Sequence, residues 1–175
     1  MSSHKKTGCH SRMEQAKAPC ILAVRLRGTV GDSPDVKKTM EALMLEKTFQ
    51  ARLLENSASI RGMLRNVHTL VAWGEVEPVV LEVLLRKRAE KVGGEGLDEG
   101  FVRARFGKDG LGDLAKSLAA GEMALKDLWR AGLKPRFRLH PPKGGFKRST
   151  RRAFSDGGEL GYRGSEINSL VRRMI

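Results

Sequence analysis

Lys134, Arg136, Arg138, Lys143, Lys147, Arg148, Arg151 and Arg152 place eight cationic side chains in the 21-residue stretch KPRFRLHPPKGGFKRSTRRAF, and no acid interrupts them. Cations at this density can neutralise a row of phosphates. Their mutual repulsion, with prolines and glycines between them, predicts an extended stretch that stays shapeless until a dense polyanion orders it. Phe137, Phe146 and Phe154 interleave the charge, and flat rings among cations suit stacking on bases or wedging into grooves. Pro141-Pro142 hold the backbone extended, while Gly144-Gly145 allow close approach to a phosphate chain. His140 lies in the same stretch and joins the candidate contacts. A solvated, disordered tail is the bland alternative for any charge run. The strict absence of acids, the interleaved rings and an amphipathic helix further on favour a contact surface for structured RNA.

The balance of the chain sharpens that reading. Net charge is +13 over 175 residues, so removing the +8 of this stretch leaves +5 for the other 154. The excess is local, which favours a polyanion-binding arm over a uniformly basic surface. Apolar residues at 40% support a core. No apolar run approaches the roughly 20 residues that span a bilayer, and the N-terminus lacks the apolar stretch of a secretory signal. Two cysteines, Cys9 and Cys20, do not make a disulfide framework, and a reducing, cytoplasmic setting is expected.

Other candidates carry less. Arg61 and Arg65, four apart, project together from the polar face of a helix. Arg25 and Arg27 share one face of a strand that the neighbouring helices are expected to leave uncovered. Each pair reads equally as ordinary surface charge. The loop RGTVGDS follows a strand and precedes a helix, as a phosphate loop would, but lacks the Gly-Lys-Ser/Thr ending and the dinucleotide glycine spacing. GKDGLGDL (107–114) fits neither pattern and reads as a turn. His4, Cys9, His10 and Cys20 resemble metal ligands by type but not by spacing. Neither His68 nor His140 has a nucleophile or carboxylate at motif spacing, so no catalytic set, metal site, cofactor or small-molecule substrate is expected. Trp73 and Trp129 read as packing residues.

The elements that must position these groups follow from periodicity. Residues 1–19 read as a flexible arm. In ILAVRLRG (21–28), Leu22, Val24 and Leu26 alternate with Ala23, Arg25 and Arg27, the mark of a half-buried strand. Ser33-Pro34-Asp35 opens a helix with a capping hydroxyl, striped by Val36, Met40, Leu43 and Met44. Phe49, Ala51 and Leu53 share a face of a second strand. Ser57 or Ser59 caps a second helix with Ile60, Met63, Leu64 and Val67 at i, i+3, i+4 and i+7. A third strand covers Leu70 to Trp73. The fold class is therefore α+β, with a split β-α-β-α-β core over 20–76 and both helices on one sheet face. A helical extension over 77–133 begins at Glu77-Pro78 and continues through three short helices after a 92–96 linker. The basic stretch and a closing helix, striped by Ile167, Leu170, Val171 and Met174, make up 134–175. DGGELGYRG (156–164) reads as a turn-rich loop. Truncation after Leu133 is expected to leave a folded core with greatly weakened RNA affinity.

With those residues in view, the chain resembles the large-subunit ribosomal protein family called L-thirty in bacteria and L-seven in eukaryotes. The resemblance lies in VRLRGTVGDSPDVKKTMEALML (24–45), NSASIRGMLRNVHTLVAWGEV (56–76), PRFRLHPPKGGFKRSTRRAF (135–154) and GGELGYRGSEINSLVRRMI (157–175). The last two belong to the archaeal and eukaryotic long form, whereas the bacterial form matches only 20–76. It implies a ferredoxin-like core and a structural, non-catalytic role in the large ribosomal subunit of the cytoplasm. The implied partners are large-subunit ribosomal RNA and neighbouring ribosomal proteins, with the small 5S RNA among the candidates. The family's RNA contacts carry over to Arg25, Arg27, Arg61, Arg65, Arg136, Arg138, Lys143, Lys147, Arg148 and Arg163, and more loosely to Lys134, Arg151 and Arg152. Two rival functions remain on the sequence: a free-standing RNA chaperone or assembly factor, and an acyl-phosphatase-like hydrolase using the GTVGDSP loop, which lacks an arginine within itself.

Overall fold

A computed structural model describes residues 20–175. The expected N-terminal arm and the candidate ligands His4, Cys9 and His10 lie outside the described residues. Six strands form one sheet in the order β4-β2-β1-β3-β6-β5: β1 (Cys20–Arg25), β2 (Gln50–Glu55), β3 (Val71–Glu75), β4 (Phe137–Arg138), β5 (Ser149–Ala153) and β6 (Gly158–Tyr162). β1 is central and antiparallel to both β2 and β3, with Val24 opposite Ala51 and Arg25 opposite Val71. This is the expected split core, extended by further strands at its edges.

Helices α1 (Pro34–Ala42) and α2 (Ala58–Asn66) cover one face. Met40, Leu43, Leu64 and Val67, in or just after them, pack on Ile21, Ala23, Leu54, Val71 and Trp73. Ser57 caps α2 by accepting from the Ile60 amide at 3.2 Å, as its position suggests. Ser33 stands at the N-cap of α1 without a side-chain cap bond, and Pro34 supplies the helical start instead.

The other face differs from expectation. Every residue of β1 is buried, so the strand is covered on both sides. Leu22, Val24, Ala51, Leu53 and Ala72 lie under α3 (Pro78–Arg88), α5 (Leu111–Ala120), α6 (Leu125–Arg130) and α7 (Ile167–Met174), joined by Phe137, Leu139 and Leu160. Residues from Cys20 to Ile175 thus contribute to one cluster on this face. The alternation in β1 looked half-buried because the residues on its second face include Ala23 and Arg25, both of which the fold encloses.

The short helices of the extension sit where glycines delimit them. Gly107 at φ +61° closes α4 (Glu99–Phe106), and Gly110 precedes α5, so GKDGLGDL is a turn between helices. Asn168 pins α7 to the sheet: its amide donates to the carbonyls of Glu75 (3.0 Å) and Ser165 (2.8 Å), and its oxygen accepts from the Glu77 amide (2.9 Å). β6 comes from the stretch expected to be a loop, because pairing with β3, Trp73 opposite Tyr162, supplies what its glycine-rich sequence does not advertise.

Candidate nucleic-acid interface

The strand registers bring six chain ends to one end of the sheet. β1 arrives there at Arg25 and β4 at Arg138, while β2, β3, β5 and β6 leave it at Gln50, Val71, Ser149 and Gly158. The basic stretch crosses this end from one sheet edge to the other. Its start is β4, paired with β2, and its finish is β5, alongside β6. Between them the amides of His140 and Lys143 donate to the carbonyls of Met174 and Arg173, each at 2.9 Å, tying the crossing to the end of α7.

The shapeless arm expected from charge repulsion is therefore corrected to a strap folded onto the protein. The reason lies in alternation within the charge run. Phe137 and Leu139 are buried while Arg138 and His140 face outward. The rings expected to meet bases are used internally. Phe137 joins the core, Phe146 stacks on Phe49 with centroids 6.4 Å apart, and Phe154 lies under the guanidinium groups of Arg148 (4.9 Å) and Arg163 (4.6 Å).

The fourteen expected contact residues separate by environment. Arg27, Arg65, Arg138, His140, Lys143, Lys147, Arg148, Arg151 and Arg152 are exposed, and none of them enters an ion pair among the described residues. Arg61 is half-exposed, its guanidinium 3.5 Å from the Asn56 side-chain oxygen. Two others are engaged: Lys134 with Glu90 at 2.7 Å and Arg136 with Glu46 at 3.3 Å. The hydrogen bond from Lys134, opposed by partial burial and assisted by the charges of Lys134 and Arg138, holds the Glu90 carboxyl below its usual range.

Arg25 and Arg163 are the last two, and both are buried rather than offered to solvent. Arg25 lies on the face that α1 and α2 cover, at 5% exposure. Its guanidinium donates to the carbonyls of Arg27 (2.8 Å), Leu45 (2.9 Å) and Glu46, with Thr29 Oγ1 at 3.4 Å. Burial lowers its pKa, against a smaller opposing effect of Asp32. With its donors committed to carbonyls, no guanidinium fork remains for a phosphate in the β1–α1 loop. Arg163 pairs with buried Glu159.

Arg25 thus holds two loops together across the cationic end. Replacing it with methionine keeps the stem and orphans the Leu45 and Glu46 carbonyls, an expected loss of about 1–3 kcal/mol. Urea unfolding of Arg25→Met checks this, and an unchanged midpoint would show the clamp to be dispensable.

Sequence reasoning passed over Arg173, which donates to the Gly145 carbonyl at 2.9 Å and fastens the strap, and Lys47, on the loop before β2. The basic last turn of α7 was a legible signal for Arg173, since cations suit a helix C-terminus. Nothing local marks Lys47. Cys20 is buried, and burial pushes its thiol up to about 11, so it is a packing residue. Among the described residues, no group of three or more His, Cys, Asp or Glu is placed to hold a metal, and no helix is long and apolar enough to cross a membrane.

Comparison with known proteins adds a second kind of observation. Residues 21–71 match the family model described as ribosomal protein L30p/L7e, which spans β1 to the start of β3. The chain is 47% identical to the large ribosomal subunit protein uL30 of Aeropyrum pernix over 158 residues, 90% of this chain and 99% of that one. It is 44% identical to the same-named protein of Korarchaeum cryptofilum (90% and 96% covered) and 43% identical to that of Staphylothermus marinus (87% and 96%).

Proposed function

The chain belongs to the ribosomal protein L30p/L7e family, in its archaeal-type long form, and we propose that it binds large-subunit ribosomal RNA through the cationic end of its sheet. Its role is that of a structural, non-catalytic constituent of the large ribosomal subunit.

One observation carries the RNA reading. A strap anchored by buried apolar residues and main-chain bonds presents Arg138, Lys143, Lys147, Arg148, Arg151 and Arg152 outward with no acid paired to them. Arg27 and Arg65 stand at the same end, after β1 and at the close of α2. Elsewhere on the surface several cations are paired, Arg86 with Glu82, Lys91 with Asp98 and Arg172 with Glu77. A cationic surface held in place in the free protein loses less side-chain and backbone freedom on binding than a disordered tail would. Contacts of this kind address phosphates and shape, with little reading of base edges. Arg61 extends the same surface along α2. The 5S RNA and neighbouring ribosomal proteins are further candidate partners.

Salt dependence tests the proposal. Four exposed, unpaired cations, Arg138, Lys143, Lys147 and Arg151, are replaced together by glutamine and binding to large-subunit ribosomal RNA is titrated against salt. Every phosphate left without its cation lowers the logarithmic slope by about 0.7–0.9, so the slope falls by about 3. Unchanged melting of the variant shows that the fold is intact. A slope equal to that of the unsubstituted protein would remove the strap from the interface.

A further inference from the structure

Between the strap and the α1–β2 loop lies a cavity of about 170 Å³, lined by Lys47, Thr48, Phe49, Gln50, Arg138 and Leu139. Its construction is unusual in three respects. First, Phe49 has φ +63°, a conformation a bulky side chain adopts only when its surroundings impose it. The imposing bonds are visible: the Phe49 amide donates to the Arg25 carbonyl at 2.8 Å, and the Phe49 carbonyl accepts from the Leu139 amide at 2.9 Å. Phe146, which does not line the cavity, stacks on the ring and holds it.

Second, the two cations at the cavity, Lys47 and Arg138, take no part in any ion pair among the described residues. The acids close by have other ion-pair partners, Arg136 for Glu46 and Lys134 for Glu90, although the charge of Arg138 also acts on Glu90. Third, Gln50 is buried and its side-chain oxygen accepts from the Lys47 amide at 2.9 Å, while the Lys47 carbonyl accepts from the Gln50 amide. That exchange fixes the loop carrying Lys47. A fixed ring beside two free cations, continuous with a cationic surface, matches the chemistry of a base and the phosphates flanking it.

We infer that this cavity seats one unstacked RNA nucleotide, with its base against Phe49 and its flanking phosphates on Lys47 and Arg138. The inference rests on the RNA-binding reading above and adds to it a site for a bulged or looped-out residue. Phosphate contacts alone do not distinguish a paired from an interrupted helix, whereas this seat does.

The test compares a fully paired RNA hairpin with the same hairpin carrying a single bulged nucleotide, at near-physiological salt. The unsubstituted protein is expected to bind the bulged hairpin about tenfold more tightly, near the low end of what stacking on an aromatic ring contributes. Thr48→Trp fills the cavity and Lys47→Gln removes its cation. Both positions are exposed, and both variants are expected to bring the two affinities together. A 2-aminopurine at the bulge supplies a readout that needs no variant, its emission falling as it stacks in the complex. Equal affinities of the unsubstituted protein for the two hairpins would overturn the seat while leaving the phosphate interface standing. A preference that survives both substitutions would also overturn it. Failure to bind either hairpin would remove the RNA-binding reading beneath it.

Discussion

A chain ending at Leu133 is expected to be unfolded, although it retains the whole β-α-β-α-β core and the helices that follow. The cut removes Phe137, Leu139, Leu160, Ile167, Leu170, Val171, Met174 and Ile175, all of which are buried in the larger hydrophobic cluster. Each such side chain contributes about 2 kcal/mol of burial to the shared core, and the cut forgoes all eight. It also exposes Leu22, Val24 and Ala72 on the sheet face that α7 and the strap help to cover, and frees the edge of β2 from β4. Near-ultraviolet circular dichroism and urea titration decide the matter. A cooperative unfolding transition in the truncated protein would show that 134–175 is an appendage after all. The expectation from charge alone, a folded core with greatly weakened RNA affinity, leaves out that this segment supplies core as well as cations.

The second large effect lies at the far end of the strap. Glu159 is the only buried carboxylate among the described residues, and it pairs with Arg163, itself buried. Glu159 also accepts from the Arg148 amide at 3.1 Å, and Arg163 and Arg148 both lie over the ring of Phe154. Removing the acid leaves a guanidinium enclosed with a second cation nearby and no counter-charge. Glu159→Ala is therefore expected to cost about 3–5 kcal/mol, the usual penalty for stranding one member of a buried pair. The joint substitution Glu159→Leu with Arg163→Met removes both charges and is expected to recover most of that loss. Chemical denaturation of the three proteins gives the answer. A cost for Glu159→Ala within the scatter of surface substitutions would mean that solvent already reaches the pair.

These two results bear on how the cationic surface is made. Exposed arginines of the strap owe their positions to buried residues: Phe137 and Leu139 at its start, Glu159 and Arg163 at its finish, Arg25 beneath the adjoining loops. Arginine accordingly serves two purposes here. Where carbonyls or a carboxylate surround it, it is a clamp, and where nothing pairs with it, it is a contact. The residue type is the same, and the surroundings decide.

Much was readable from the chain alone. Helical spacing of Ile60, Met63, Leu64 and Val67 identified α2 and its buried side, with Ser57 as cap, because amphipathic periodicity and capping are local properties. The three core strands and the concentration of charge after Leu133 were legible for the same reason. The period-two alternation in Arg136-Phe137-Arg138-Leu139-His140 was also present, and it marked a strand that the charge count obscured. Tertiary structure alone decided between Arg25, the last residue of β1, and Arg27, two residues beyond it, since the carbonyls of Leu45 and Glu46 that capture Arg25 lie some twenty positions away. It likewise decided that GELGY is a strand, by pairing it with β3, and that Lys134 and Arg136 are neutralised while Arg138 is not. Periodicity and net charge are sums over neighbours in sequence, whereas desolvation and ion pairing depend on which distant atoms the folded chain brings within a few ångströms.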